Sequence, residues 1–596
     1  MVSPLSILQS TFGYTEFRTP QSEVITHILN GDDALVLMPT GGGKSLCYQL
    51  PALLLPGITI VISPLIALME DQVQAAKQLG ISAGYLNSTQ SSSDRAAIMA
   101  SAREGTLKLL YLAPERLQSE DCQSFLAELE IALVAIDEAH CVSQWGHNFR
   151  PDYLLLSLFK ERYPRVPLIA LTATANELTR TEIVEKLQIP QGKVFIKGFD
   201  RPNIYYQLQH KKEPRHQLLN FLKTRHGQAG IVYCLSRKKT EQTAAWLNSH
   251  GFEALAYHAG MDSEERASNQ HRFLREDGVI VVATIAFGMG IDKPDVRFVA
   301  HMDLPKSIEA YYQEIGRAGR DGEPADAWMI YGLQDVVLLQ QMVQDNNSEQ
   351  QIRIEQHKLN SMLAFCELTE CRRQVLLRYF GETASDNCGA CDNCVMPKPT
   401  FDGTTVVQKL LSAIYRTGQR FGANYVIDVL TGKQDDRISD FGHDQLAVYG
   451  VGKELSHNEW RSVVRQVVVR GLVEVDVSGY GGLRLHPDSR PILRGEETIY
   501  LSKDMTQSDP ARSSKPSKVR AVGLDYDEDL FQLLKVLRTE IAQEDGIAPY
   551  MVFHDRTLKE LAAYKPKDDR ALLSINGIGD TKAQRFGQRF LTVLQD

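Results

Sequence analysis

The stretch MPTGGGKS, residues 38–45, follows directly on the apolar run Ala34-Leu35-Val36-Leu37. A short strand, three glycines, then a lysine and a serine predict a strand-to-helix turn built around phosphate. Glycine lets the backbone turn tightly, so several N–H groups can point inward at phosphate oxygens. The helix that follows presents its positive N-terminal end. Lys44 would reach the β/γ-phosphates and Ser45 would ligate Mg²⁺. The nucleotide-binding set expected here is Thr40, Gly41, Gly42, Gly43, Lys44 and Ser45. The strict pattern has glycine six residues before the lysine, where this chain has Met38. In isolation, a glycine-rich turn with an exposed lysine would read the same, so other elements must decide.

A second element stands where it is needed. The apolar run Ala132 to Ile136 leads into Asp137-Glu138-Ala139-His140. An Asp at the end of a buried strand can hold Mg²⁺, and the next Glu can orient and deprotonate the attacking water. Asp-Glu after a strand is common alone, but paired with the glycine loop it predicts an NTPase.

The fold follows from the pattern around these two motifs. Ile58–Ile62, Leu107–Leu112, Ala132–Ile136 and Leu168–Leu171 are short apolar runs between amphipathic segments, as buried parallel strands are. After Phe199-Asp200-Arg201-Pro202-Asn203 the alternation restarts with runs at 230–234, 279–283 and 296–300. That is an α/β architecture with two consecutive parallel-sheet domains. In the second, Arg317 and Arg320 follow the helical pattern from Tyr311, and on a helix that spacing places both on one face. An arginine offered by one domain to a phosphate on the other would make hydrolysis depend on domain closure, as a motor requires. A surface pair making ion pairs is the alternative.

Bulk properties agree with a multidomain globular chain. At 596 residues, the length suggests roughly four domains at about 150 residues each. The hydrophobic fraction of 43% and charged fraction of 23% are ordinary for globular proteins. No apolar run is long enough to span a bilayer, and the N-terminus carries no signal-peptide pattern, so a cytoplasmic location is expected. The net charge of −9 does not exclude a nucleic-acid binder, because phosphate contacts depend on local basic clusters. Of nine cysteines, four crowd between 371 and 394: Cys371, Cys388, Cys391 and Cys394. This clustering suits a closed tetrahedral Cys₄ zinc site, which is structural. Cys366, five residues before Cys371, is a competing fourth ligand.

Taken together, the motifs resemble those of a superfamily 2 helicase, and in detail those of the RecQ family of DNA helicases. The likeness rests on Phe17-Arg18-Thr19-Pro20-Gln21, the glycine loop, Ser63-Pro64-Leu65, Ala113 to Leu117, Asp137 to His140, and CVSQWGHNFR at 141–150. It continues through Leu171-Thr172-Ala173-Thr174-Ala175, Tyr257-His258-Ala259-Gly260, Ala286 to Gly290, and the Arg317/Arg320 segment. It covers essentially the whole chain and is similar to the bacterial form.

The resemblance implies two tandem RecA-like motor domains at 1–200 and 201–335. A helical zinc-binding domain at 336–398, a winged-helix domain at 399–502, a linker at 503–522 and a small all-helical (HRDC) domain at 523–596 would follow. It implies ATP-driven 3′-to-5′ unwinding of single-stranded and forked DNA in repair and recombination, with ATP, Mg²⁺ and Zn²⁺. Tyr14, Arg18 and Gln21 match the adenine-reading motif, and a glutamine amide can pair with both a donor and an acceptor on adenine. Lys44, Asp137, Glu138, His140, Arg317 and Arg320 match the catalytic set, with Arg320 as the arginine finger. Ser45 and Asp137 match the magnesium ligands, and Cys371 is favoured over Cys366 for zinc. Trp145, Phe149 and Arg150 match a loop that senses single-stranded DNA by sequence-tolerant stacking. Tyr550 matches a DNA contact of the last domain, whose Ser574–Gly579 turn could also meet phosphate or serve folding alone. Ser478–Arg484 would form the wing. Arg490 and Arg494 match residues that receive the acidic tail of single-stranded-DNA-binding protein. A nucleoid-associated cytoplasmic protein is implied, and its last domain is expected to be tethered to the motor without being built into it. An RNA helicase would share the motor domains but not the accessory set. A nucleotide-gated DNA scaffold would not need the two arginines.

Overall fold

A computed structural model describes residues 3–87, 90–143, 149–288, 293–344, 349–382, 387–397, 399–476, 482–502 and 524–595. Among the described residues the first α/β unit holds seven strands: β1 Ala34–Leu37, β2 Ile58–Ile62, β3 Ala83–Leu86, β4 Leu109–Leu112, β5 Ile131–Ile136, β6 Leu168–Thr172 and β7 Lys193–Ile196. Their order is β3-β4-β2-β5-β6-β1-β7, and every pairing is parallel. The second unit holds β8 Ile204–His210, β9 Gly230–Tyr233, β10 Ala254–Tyr257, β11 Ile280–Ala283, β12 Phe298–His301 and β13 Ala325–Tyr331. Their order is β10-β11-β9-β12-β13-β8, again parallel throughout.

The continuous apolar runs form central strands because both faces are covered by helices. β1, β2, β6, β9, β11 and β12 are buried at every position. Of the strands missing from the sequence reading, β13 is interior and mostly buried, whereas β7 and β8 are of another kind. β8 (IYYQLQH) alternates between buried and half-buried side chains at the edge of its sheet. β7 at the edge of the first sheet buries only Phe195. An edge strand needs less apolar surface, so its sequence signal is weaker.

One apolar core runs from the first sheet (Leu35, Ile60, Ile136) through the second (Ile231, Val281) to Phe380 and Cys391 beyond it. At the junction Phe199 stacks on Phe380 with ring centroids 4.7 Å apart, and Tyr312 packs edge-on to Phe199. The Tyr312 hydroxyl donates to the Phe199 carbonyl at 2.6 Å.

Helices Glu349–Glu367 and Arg372–Tyr379 carry the chain into the cysteine cluster. A separate core then forms around Leu410, Leu411, Ile414, Val463 and Val467. Its helix His457–Val469 begins with a capping box, Ser456 with Glu459. Trp460 is fully buried and donates its indole N–H to the Gly452 carbonyl at 2.7 Å. β14 Val473–Asp476 pairs antiparallel with β15 Gly482–Leu485, and the expected wing tip between them lies outside the described residues. So does the 503–522 linker. The last domain is helical with its own core, including Leu534, Leu558, Leu561 and Phe590.

Candidate active site and metal centre

The phosphate loop leaves β1 at its carboxyl end, where Met38 N–H donates to Thr172 O at 3.1 Å. Gly41 and Gly43 have φ of +77° and +85°. A Cβ on Gly43 would lie 2.3 Å from Gln21 Nε2, so any other residue would push the Gln21 amide aside as well as strain the backbone. Ser45 stands at the start of helix Leu46–Leu54 without a side-chain capping bond, and Lys44 Nζ rests on the Met38 carbonyl at 3.3 Å.

The adenine-motif residues are wired to this loop. Gln21 Nε2 donates to Gly43 O at 3.1 Å, Gln21 Oε1 accepts from Arg18 N–H at 2.9 Å, and Arg18 donates to Gly41 O at 3.3 Å. A primary amide has two donors and two lone pairs, so these bonds still leave Gln21 one of each for a base. Tyr14 is half-buried beside the same core.

Asp137 stands at the end of β5, its N–H on Ile62 O at 2.9 Å. Burial and the neighbouring Glu138 charge push its carboxyl up, and Lys44 opposes that shift. Glu138 has φ 49° and ψ 44°, the left-handed region that a non-glycine residue rarely holds. Such strain persists where surroundings impose it, and it is concentrated at working sites. His140 is fully buried. Its Nδ1 lies 3.0 Å from Thr172 Oγ1 and 3.3 Å from Glu138 Oε2. Burial first, then Lys44 and Arg150, push His140 down to about 3, so the ring is neutral near pH 7. Thr172, quoted in the sequence only as part of a motif, is thus the hinge between β6 and the Glu138–His140 pair.

The two arginines part company. The helix carrying them ends at Ile315, so they do not share a helical face as their spacing predicted. Arg317 turns into its own domain: it is buried, and Nε donates to Tyr233 OH at 3.0 Å. Tyr233 OH in turn donates to Phe287 O at 2.8 Å. The Arg320 backbone meets the phosphate loop, 3.4 Å from where a Cβ on Gly41 would stand.

Trp145 lies outside the described residues, but the base of its loop is held. Arg150 donates its N–H to Cys141 O at 2.9 Å and its guanidinium to Pro64 O at 2.9 Å. Phe149 is half-buried.

The cysteine cluster closes on four thiols. The Sγ atoms of Cys371, Cys388, Cys391 and Cys394 all lie within 4.8 Å of one another. Cys388 and Cys394 are 3.9 Å apart, close to the ~3.8 Å edge of a tetrahedron with Zn–S bonds of about 2.3 Å. Cys366, on the helix ending at Glu367, is not among the thiols that lie close enough to share one metal. Replacing Cys391 by serine is expected to lower zinc content and melting temperature together, because structural zinc contributes folding energy directly. Metal analysis with thermal melting checks this, and a zinc-free wild type of full stability would refute it.

The last domain departs from its expected independence. It is seated on both lobes. Gly577 N–H donates to Gly13 O at 2.8 Å, and a Cβ on Gly13 would lie 2.5 Å from the Ile578 carbonyl carbon. On the second lobe Lys559 pairs with Glu323 at 2.9 Å and Lys535 with Asp277 at 3.2 Å. Tyr550 lines a small cavity with Leu274, Lys293 and Pro294. The residues expected to meet DNA therefore face the motor here. This docking has no local sequence signal, since each contact joins positions hundreds of residues apart.

Comparisons with known proteins bear on the family of the chain. Family models match in chain order: DEAD/DEAH box helicase at 18–181, helicase conserved C-terminal domain at 213–322, RecQ zinc-binding at 333–395, RQC domain at 397–510 and HRDC domain at 527–594. The chain is 46% identical over 99% of its length to ATP-dependent DNA helicase RecQ of Haemophilus influenzae, covering 96% of that protein. The protein of the same name from Pasteurella multocida is 45% identical, with 99% of this chain and 93% of that one covered. For Bacillus subtilis the figures are 36%, 99% and 98%. A phosphate loop, an Asp-Glu strand end, an opposed arginine turn and a four-cysteine centre, found in a chain this similar over its full length, place the protein in the RecQ family of ATP-dependent DNA helicases.

Proposed function

We propose that the chain is a DNA-dependent ATPase that moves 3′-to-5′ along single-stranded DNA and separates duplexes and branched structures in repair and recombination. The observation that carries this reading is the facing of the phosphate loop on the first sheet by the arginine turn of the second. An ATPase whose site is completed across two lobes converts hydrolysis into relative lobe movement.

In this reading Gln21, Arg18 and Tyr14 hold the base. The amides of Gly41–Gly43 and the Lys44 ammonium hold the phosphates. Ser45 and Asp137 would hold Mg²⁺, whose charge would neutralise phosphate oxygens. Glu138 takes a proton from the attacking water, and neutral His140 keeps Glu138 in register with Thr172. Arg320 stabilises charge on the transferred phosphoryl group, and Arg317 fixes the turn to Tyr233. The four-cysteine centre is structural because all four positions are filled by protein.

DNA is favoured over RNA by the zinc, winged-helix and C-terminal set, and by the names of the relatives, which are DNA helicases. Trp145, with Phe149 and Arg150, would stack on bases and report DNA to Glu138 through the short segment between them. Tyr550 would reach DNA only when the last domain leaves the lobes. Arg490 and Arg494 are exposed on one helical turn of the winged helix and suit the acidic tail of single-stranded-DNA-binding protein. Action at the nucleoid of a bacterial cytoplasm follows from the same reading. Strand displacement with ATP on forked, 3′-tailed and 5′-tailed duplexes tests it. Unwinding of forked and 3′-tailed substrates is expected. ATPase activity stimulated by RNA but not by DNA would overturn the reading.

A further inference from the structure

The chain passes from the first sheet to the second through residues 197–203, between β7 and β8. Arg201 on this connector is only 8% exposed. Its guanidinium meets four backbone carbonyls: Thr40 at 3.1 Å, Gly316 at 3.1 Å, Ala318 at 2.7 Å and Gly319 at 3.0 Å. Thr40 belongs to the phosphate loop, and the other three form the turn that carries Arg317 and Arg320. A planar five-donor fork can serve several acceptors at once, which a lysine ammonium cannot do with the same geometry. A buried guanidinium is costly unless its donors are used, and here they are spent on the two halves of the nucleotide site.

The surroundings hold Arg201 in place. Asn203 Nδ2 donates to Gly319 O at 2.9 Å and Glu323 O at 2.8 Å. From the zinc-bearing side, Arg373 donates to the carbonyls of Arg201, Pro202 and Ile204 at 3.3, 3.3 and 3.0 Å. Arg373 stands two residues after the zinc ligand Cys371, on helix Arg372–Tyr379. Glu382, beyond that helix, accepts from Phe199 N–H at 2.8 Å. Around the fork the lobes touch directly, since a Cβ on Gly316 would stand 3.4 Å from Thr40 Oγ1.

We propose that Arg201 is a positioning residue of the ATPase site, setting the arginine turn against the phosphate loop so that Arg320 is presented to the γ-phosphate, with its own register set by Arg373 from the zinc domain. It touches no substrate and acts through Arg320. This rests on the ATPase reading above.

The test uses the full-length chain with Arg201→Lys, Arg320→Ala and the double variant. Single-turnover hydrolysis with saturating single-stranded DNA is measured alongside affinity for a non-hydrolysable ATP analogue, melting temperature and zinc content. Arg201→Lys is expected to slow hydrolysis roughly 10- to 100-fold, the scale of a small misplacement at a reacting centre. Nucleotide affinity, melting and zinc should stay near wild type. The double variant should be no slower than Arg320→Ala alone, because residues acting on one path are not additive. Arg373→Gln, which leaves the Arg201 fork in place, should show a smaller loss with the same non-additivity, and it carries the test if Arg201→Lys does not fold. Wild-type hydrolysis in both Arg201→Lys and Arg373→Gln, or losses that add to that of Arg320→Ala, would overturn the proposal. Absence of DNA-stimulated hydrolysis in the unsubstituted chain would instead overturn the ATPase reading.

Discussion

Arg320→Ala is expected to lower DNA-stimulated kcat by roughly 10³-fold or more, the scale of a missing arginine finger, with nucleotide affinity and melting temperature near wild type. Its backbone stands over Gly41, in contact with the phosphate loop of the other lobe. Arg317→Ala should behave differently. Arg317 Nε supplies the Tyr233 hydroxyl, and its terminal nitrogen lies 2.9 Å from where a Cβ on Gly288 would stand. Losing it removes a buried partner, a change of about 1–3 kcal/mol, so Arg317→Ala should melt earlier as well as turn over slowly. Steady-state ATPase with calorimetry separates the two. If Arg320→Ala melts early and Arg317→Ala does not, the roles are reversed.

Glu138→Gln is the second large effect. Glutamine matches glutamate in shape and can still reach His140, so the fold around φ 49° should survive. The amide cannot accept the proton of an attacking water. A general base typically contributes about 10²–10⁴-fold, and kcat should fall by that much while ATP binds normally. The variant should therefore hold nucleotide and DNA without turning over, which equilibrium binding beside steady-state ATPase would show. Turnover near that of wild type would remove Glu138 from the role of base and leave the neutral His140–Thr172 pair to be examined.

Much of the site was legible because its signals are local. Glycine at 41–43, Lys44 and Ser45 act through neighbours a few residues away, and so do Asp137 and Glu138 at the end of β5. The three thiols at 388, 391 and 394 reach one metal because of their spacing alone. The same holds for the central strands, whose apolar runs record burial on both faces. Edge strands such as β7 and β8 carry half that signal and went unread.

The choice between Cys371 and Cys366 was not local. Both precede the run at 388–394, and only the packed fold brings Cys371 rather than Cys366 within reach of those three thiols. The arginine pair misled for a related reason. A three-residue spacing implies one face only while the helix lasts, and this helix stops at Ile315.

By itself, then, the sequence determined the pieces the proposed chemistry uses: a glycine-rich phosphate-loop pattern, an Asp-Glu pair at a strand end, a cysteine cluster suited to zinc, and two parallel-sheet domains. Tertiary structure alone decided that Arg317 turns into its own domain, that Arg201 joins loop to turn, and that the last domain rests on both lobes through Gly13 and Asp277. The physical reason is range. Propensity, periodicity and ligand spacing act over a few residues, whereas a buried guanidinium finds its four carbonyls only after two sheets and a zinc-bearing helix have packed around one connector.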